Sequence, residues 1–244
     1  MSHELAYIQE HLITVVVIQL THLVSNTARS EEQCTMSDKK CCILVVGSTG
    51  TGKSTLVGFC TGEAVDTSNK SDECTKEIQA VKDETGLVWV DTVGFDGTDT
   101  NRTDEEAFQE ILQFLQEQNI SDVAAVIWTV NPEIREAGRL QKQAKLIDKF
   151  KEGAVWSNVI IVVKNTRGNI ERDVAGARAA CNNENAKTIG YSLLDQLKDN
   201  EKVFWEKQTS EDRANMGILT QVEVKLLIKN TLKTLPPSIQ VIIQ

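Results

Sequence analysis

Gly47-Ser48-Thr49-Gly50-Thr51-Gly52-Lys53-Ser54 is the stretch that decides the fold of this 244-residue chain. It satisfies G-x-x-x-x-G-K-[ST], and its neighbours supply the context that this pattern needs. Cys42 to Val46 is a short apolar run entering the glycines, and residues 53–60 place Leu56, Val57 and Cys60 on one helical face. The glycines let the backbone curl so that successive N–H groups converge on a phosphate. Lys53 is placed to neutralise phosphate oxygens and Ser54 to ligate Mg²⁺, where the helix start adds its positive dipole end. The expected phosphate-side residues are therefore Gly47, Ser48, Thr49, Gly50, Thr51, Gly52, Lys53, Ser54 and Thr55.

A second pattern lies some forty residues on. Asp91-Thr92-Val93-Gly94 ends an apolar run at 87–90. A carboxylate at a strand end beside a phosphate loop holds Mg²⁺, commonly through water. A glycine N–H three residues later senses the terminal phosphate, because only a residue without Cβ approaches so closely. Thr75, in the polar stretch before the run at 77–81, is the expected hydroxyl that closes over the ion and the terminal phosphate. Thr67, Ser68 and Ser71 compete for that role. The expected metal set is Ser54, Thr75 and Asp91, and the expected catalytic set Lys53, Thr75 and Gly94.

From residue 41 onward, apolar runs alternate with amphipathic stretches, the mark of a three-layer α/β domain with a mainly parallel sheet. Strands are expected at 42–46, 77–81, 87–90, 123–130 and 159–163, with a short one at 188–192. Helices are expected at 53–60, 103–118, 134–150, 173–182 and 221–232. Residues 238–243, after Pro236-Pro237, read as a late strand at a sheet edge. This divides the chain into an appendage at 1–39 and one domain at 40–244. Leu12 to Val24 is apolar but broken by Thr14, Gln19, Thr21 and His22, and is too short for a spanning helix of about 20 residues.

Composition narrows the function. A net charge of −9 without a Lys/Arg cluster speaks against nucleic-acid or anionic-membrane binding in general. The six cysteines form no CxxC pair, so free thiols in a reducing cytoplasm are expected. His3, His11 and His22 all precede the domain. Chemistry there must run on carboxylates, hydroxyls, lysine, backbone and metal.

The order GSTGTGKST, then ECTKE around Thr75, then VDTVGFD resembles the septin-like GTPases of the TRAFAC class, especially the immunity-associated (GIMAP or AIG-type) G domains. The resemblance covers roughly residues 41–195. It implies a P-loop G domain that binds GTP and GDP with Mg²⁺, hydrolyses slowly, and in many relatives forms nucleotide-controlled homodimers or membrane-associated scaffolds. No membrane feature of this chain supports the last.

Two departures from the family pattern matter. The guanine-specifying [NT]-K-x-D should follow the fifth core strand, and Val163-Lys164-Asn165-Thr166 keeps the lysine but lacks the aspartate. Lys164 is expected along the base, and Gly190-Tyr191-Ser192 is expected as a loop near base or ribose. A site lacking that carboxylate discriminates less against adenine, which leaves a P-loop ATPase or kinase as an alternative. Phe95 also follows Gly94 where many small GTPases place the water-orienting Gln. Hydrolysis is therefore expected to be slow, with Asp96, Asp99 or a partner's residue compensating, or absent, as in a nucleotide-binding scaffold. Arg102 and Arg135 are available cations, expected as solvated surface residues.

Overall fold

The computed structural model describes residues 40–63, 77–95, 102–131, 137–164, 170–181 and 183–241. The appendage at 1–39 and Thr75, Asp96, Asp99, Arg135, Asn165 and Thr166 lie outside them.

Strand β1 (Lys40–Gly47) is apolar from Cys41 to Val46 and buried on both faces, as a central parallel strand must be. Cys42, Leu44 and Val46 point into one core, while Ile43 and Val45 point into the other. Helix α1 (Lys53–Thr61) covers the second core with Leu56, Val57 and Cys60. Strands β2 (Gln79–Lys82) and β3 (Val88–Asp91) form an antiparallel hairpin. Helix α2 (Asp104–Glu117) starts at a reciprocal Thr103–Glu106 cap and sends Phe108, Ile111 and Leu115 into the first core. Strand β4 (Ile120–Val130), helix α3 (Ala137–Asp148), strand β5 (Val159–Lys164), helix α4 (Ile170–Cys181) and strand β6 (Lys187–Leu193) continue the alternation.

With a short strand β7 (Ile218–Leu219) after β6, the strands lie in the order β2-β3-β1-β4-β5-β6-β7, and β1 is parallel to both β3 and β4. The chain thus moves to opposite sides of β1, and a crevice opens at the carboxyl ends beside it, where open α/β sheets bind ligands. Four elements between β6 and the last helix carry no sequence expectation: the helical turn Leu194–Gln196, helices α5 (Asp199–Glu206) and α6 (Ser210–Asn215), and strand β7. Helix α7 (Gln221–Lys233) follows, capped by Thr220 and Glu223, and buries Val224 and Ile228 in the second core. Among the described residues, no helix is long and apolar enough to cross a membrane.

Strand β8 (Ile239–Gln240) corrects one expectation, since it does not sit at an outer edge of the sheet. It pairs antiparallel with the start of β4, opposite Asp122 and Val123, on the side where β5 has not yet begun. The buried Asn158 amide holds it there, donating to the carbonyls of Ala124, Pro236 and Pro237 at 3.0, 3.2 and 3.1 Å.

The β2–β3 turn is organised by one carboxylate. Asp83 Oδ1 accepts from the Thr85 amide at 2.9 Å, the Thr85 hydroxyl at 2.6 Å and the Leu87 amide at 3.2 Å. Oδ2 accepts from the Trp89 indole at 3.2 Å and lies 3.6 Å from Lys229 Nζ on α7. Burial would raise the Asp83 pKa, but the Thr85 and Trp89 hydrogen bonds and the Lys229 charge together lower it. A depressed folded-state pKa means that this stabilisation is full above the ordinary carboxylate range and is lost as pH falls through the lowered value. Asp83→Ala should therefore cost roughly 2–3 kcal/mol at neutral pH in denaturant unfolding, with the loss shrinking below about pH 4. A pH-independent loss would contradict this.

Candidate functional site

The glycine loop is wedged between two strand ends. Gly47 has φ 144°, which L side chains rarely adopt. A Cβ there would strike the Thr129 carbonyl and stand 2.6 Å from the Thr129 hydroxyl, at the end of β4. Thr51 is buried, donates its hydroxyl to the Ser48 carbonyl at 2.8 Å and lies 2.6 Å from Thr129 Oγ1. Its side chain therefore shapes the loop. Lys53, at 5% exposure, donates to the carbonyls of Gly47 at 3.2 Å and Ser48 at 3.0 Å. The loop thus folds around its own ammonium, with Gly52 as the left-handed cap of α1, and Ser54 and Thr55 follow in the first turn.

The Asp91–Gly94 segment is stitched to this loop from the β3 side. Thr92 donates its hydroxyl to the Val45 carbonyl at 2.8 Å. The Phe95 amide donates to the Gly47 carbonyl and the Thr49 amide to the Phe95 carbonyl, both at 3.0 Å. A Cβ on Gly94 would fall on the Thr49 hydroxyl and 2.7 Å from its amide nitrogen. Glycine is required there by packing against the loop. Phe95 and Val93 are buried in the first core. The residue after Gly94 therefore serves the core, which explains why it carries no water-orienting group.

Asp91 is fully buried, and neither carboxylate oxygen has a hydrogen-bond partner among the described residues. Desolvation raises its pKa, opposed by the nearby Ser54 hydroxyl and the Lys53 charge. A buried carboxylate without partners is costly, and its natural complement is a cation. Mg²⁺ typically takes one or two protein oxygens and fills its octahedron from phosphate and water. Asp91 with the neighbouring Ser54 hydroxyl fits that demand.

Two side chains extend the site beyond the motifs. Gln143 of α3 is fully buried; it accepts from the Trp128 indole at 2.9 Å and donates to Ser48 Oγ at 2.6 Å. It braces the loop from a position 95 residues away in sequence, which no local pattern announces. Arg102 is not the solvated surface residue expected. It donates to the Gly94 carbonyl and to Glu110, each at 3.2 Å.

Lys164 ends β5, and its side chain reaches back to the loop. Nζ stands 3.0 Å and Cδ 3.4 Å from where a Gly52 Cβ would be. Gly190-Tyr191-Ser192, expected as a loop, lies inside β6. Tyr191 is buried in the second core, and the β5–β6 register places it opposite Lys164. The segment at that end of the crevice is instead the turn Leu194–Gln196.

The orphaned carboxylate makes a stability prediction with a definite sign. A raised folded-state pKa means that stability falls as pH rises through it. Asp91→Asn should thus unfold roughly 1–2 kcal/mol later than the parent at neutral pH in chelator, and the difference should vanish in acid. A less stable variant at neutral pH would contradict this.

No curated protein matches the chain. Among solved structures, Toc33 from Arabidopsis thaliana with Mg²⁺ and GMPPNP superposes with TM-score 0.55 at 15% identity, covering 93% of this chain and 94% of that one. The same protein with GDP and Mg²⁺ gives TM-score 0.56 at 15% identity, covering 95% and 96%. A structure of the chloroplast translocon components atToc33 and psToc159, whose dimerization is described as important for GTPase activity, gives 0.57 at 14% identity, covering 95% and 94%. At such identities the likeness is one of fold. A family model described as 50S ribosome-binding GTPase matches residues 42–180, more than half of the chain and the whole of both phosphate-side motifs. With the loop, the Asp91–Gly94 segment and the strand order all in agreement, the chain belongs to this family of P-loop GTPases.

Proposed function

We propose that this chain is a slow, Mg²⁺-dependent GTPase switch whose phosphate site is built from Lys53, Ser54, Asp91 and Gly94. The observation that carries the reading is the unpartnered Asp91 carboxylate, buried beside Lys53 and Ser54 where a phosphate-bound cation would neutralise it. The loop amides and Lys53 would hold the β- and γ-phosphates. Ser54 and Asp91, with Thr75 from outside the described residues, would hold Mg²⁺, which spreads the charge that builds on the phosphate oxygens. Water attacks the γ-phosphorus, the bond to the β–γ bridging oxygen breaks, and GDP and phosphate leave. The chain's contribution is position and charge.

The switch follows from the same geometry. The Gly94 amide belongs to a segment already bonded to the loop on both sides of Ser48. A γ-phosphate there would pull on the Asp91–Phe95 segment and, through Arg102, on the start of α2. The buried Phe95 leaves the attacking water without a side-chain partner at that position. This favours pairing of two chains in the GTP state, each completing the other's site. The motif order supports a septin-like, immunity-associated subtype, and four cysteines outside any disulfide among the described residues support a reducing, cytoplasmic setting.

Phosphate release from GTP tests the reading. The full chain should turn over at about 10⁻³ to 10⁻² per second in Mg²⁺, rise per molecule with protein concentration, and lose activity in Lys53→Ala or in chelator. Turnover retained by Lys53→Ala would sink it.

A further inference from the structure

Guanine presents two adjacent donors, N1–H and the N2 amine, whereas adenine offers an acceptor at N1. A carboxylate pairs with both guanine donors and meets a lone pair in adenine, which is how a polar site rejects the wrong base. Asn165 and Thr166 leave no such acid after Lys164.

The crevice runs along the carboxyl ends of β1, β4, β5 and β6, with neighbouring strands roughly 4.8 Å apart. Its phosphate end is at β1. Its far end lies at β5 and β6, beyond Lys164, whose stem spans back to Gly52. The register pairs Lys164 with Tyr191, so β6 continues to Leu193 and turns at once into Leu194–Gln196. Asp195 sits in that turn. Its charge acts on the Lys164 ammonium, opposing the effect of burial. The side chain is exposed but held, because Gln221, the first residue of α7, donates to Asp195 Oδ2 at 2.8 Å.

We propose that Asp195 is the base-selecting carboxylate of this chain, accepting the N1 and N2 hydrogens of guanine in place of the acid missing after Lys164. This rests on the guanine-nucleotide reading above. Lys164 supplies the apolar stem along one face of the ring, and Gln221 sets the carboxylate's angle.

Calorimetric titration of the full chain and of Asp195→Asn with GDP, ADP and xanthosine diphosphate, all with Mg²⁺, tests it. Xanthine keeps N1–H but replaces the amine with a carbonyl, which an asparagine amide matches. The parent should prefer GDP to ADP. Asp195→Asn should bind GDP about ten- to hundredfold more weakly, leave ADP unchanged and gain xanthosine diphosphate by about tenfold or more. An unchanged GDP-to-ADP ratio in the variant overturns the role of Asp195 and leaves the guanine reading standing. Equal weakening of all three ligands also overturns it, as a structural effect. A parent without GDP preference overturns the guanine reading and the proposal with it.

Discussion

The backbones of Ser48 and Phe95 run side by side as a one-residue parallel bridge, and the structure around the crevice is organised by that contact. It brings the glycine loop of β1 against the segment leaving β3, closely enough that Gly94 has room for no side chain. On the opposite flank, Gly47 meets the end of β4 through Thr129 under the same restriction. Both flanks depend on β1 being buried on two faces, so that its end is fixed by the two cores before the loop begins. Rigid strands thus place a loop made almost wholly of backbone donors.

Inside that wedge the chain buries an ammonium and a carboxylate of unequal comfort. Lys53 is satisfied by loop carbonyls, while both oxygens of Asp91 stand without partners. A structure selected for stability alone would not keep such a group. Its presence is intelligible if the folded chain is completed by a bound cation, so that part of the site's energy is recovered only on binding. The Asp83 turn shows the contrasting arrangement, with every carboxylate oxygen engaged and the pKa lowered. Two aspartates on the same hairpin thus carry opposite shifts, one structural and one poised for a ligand.

Much of this was legible in the sequence because it is local. The loop motif, the run before Asp91 and the β-branched strand at 159–163 are each written in consecutive residues. The helical stripes of 103–118 and 221–232 repeat within a few turns. What escaped is what only the fold brings together. Gln143 meets Ser48 across the first core, Arg102 reaches Gly94 over a loop, and Asp195 acts on Lys164 because β6 runs two residues past the register partner of Lys164 and then turns. Helices α5 and α6 bury no residue fully, so they leave no apolar period to detect, and β7 is two residues long. Residues 188–192 form the expected short strand, but Gly190-Tyr191-Ser192 is no loop at the base, because it lies within β6 with its tyrosine in the core.

The most direct test of a phosphate site completed by a cation is thermal unfolding with GDP, in Mg²⁺ and in chelator. With GDP at about a hundred times its dissociation constant, binding adds roughly 2.7 kcal/mol. For a chain of this length that raises the midpoint by roughly 5–10 °C. The account predicts that rise in Mg²⁺ and only a small fraction of it at the same GDP concentration in chelator, where no metal ion offsets the burial of the Asp91 carboxylate. Equal rises in both, or none in either, would contradict it.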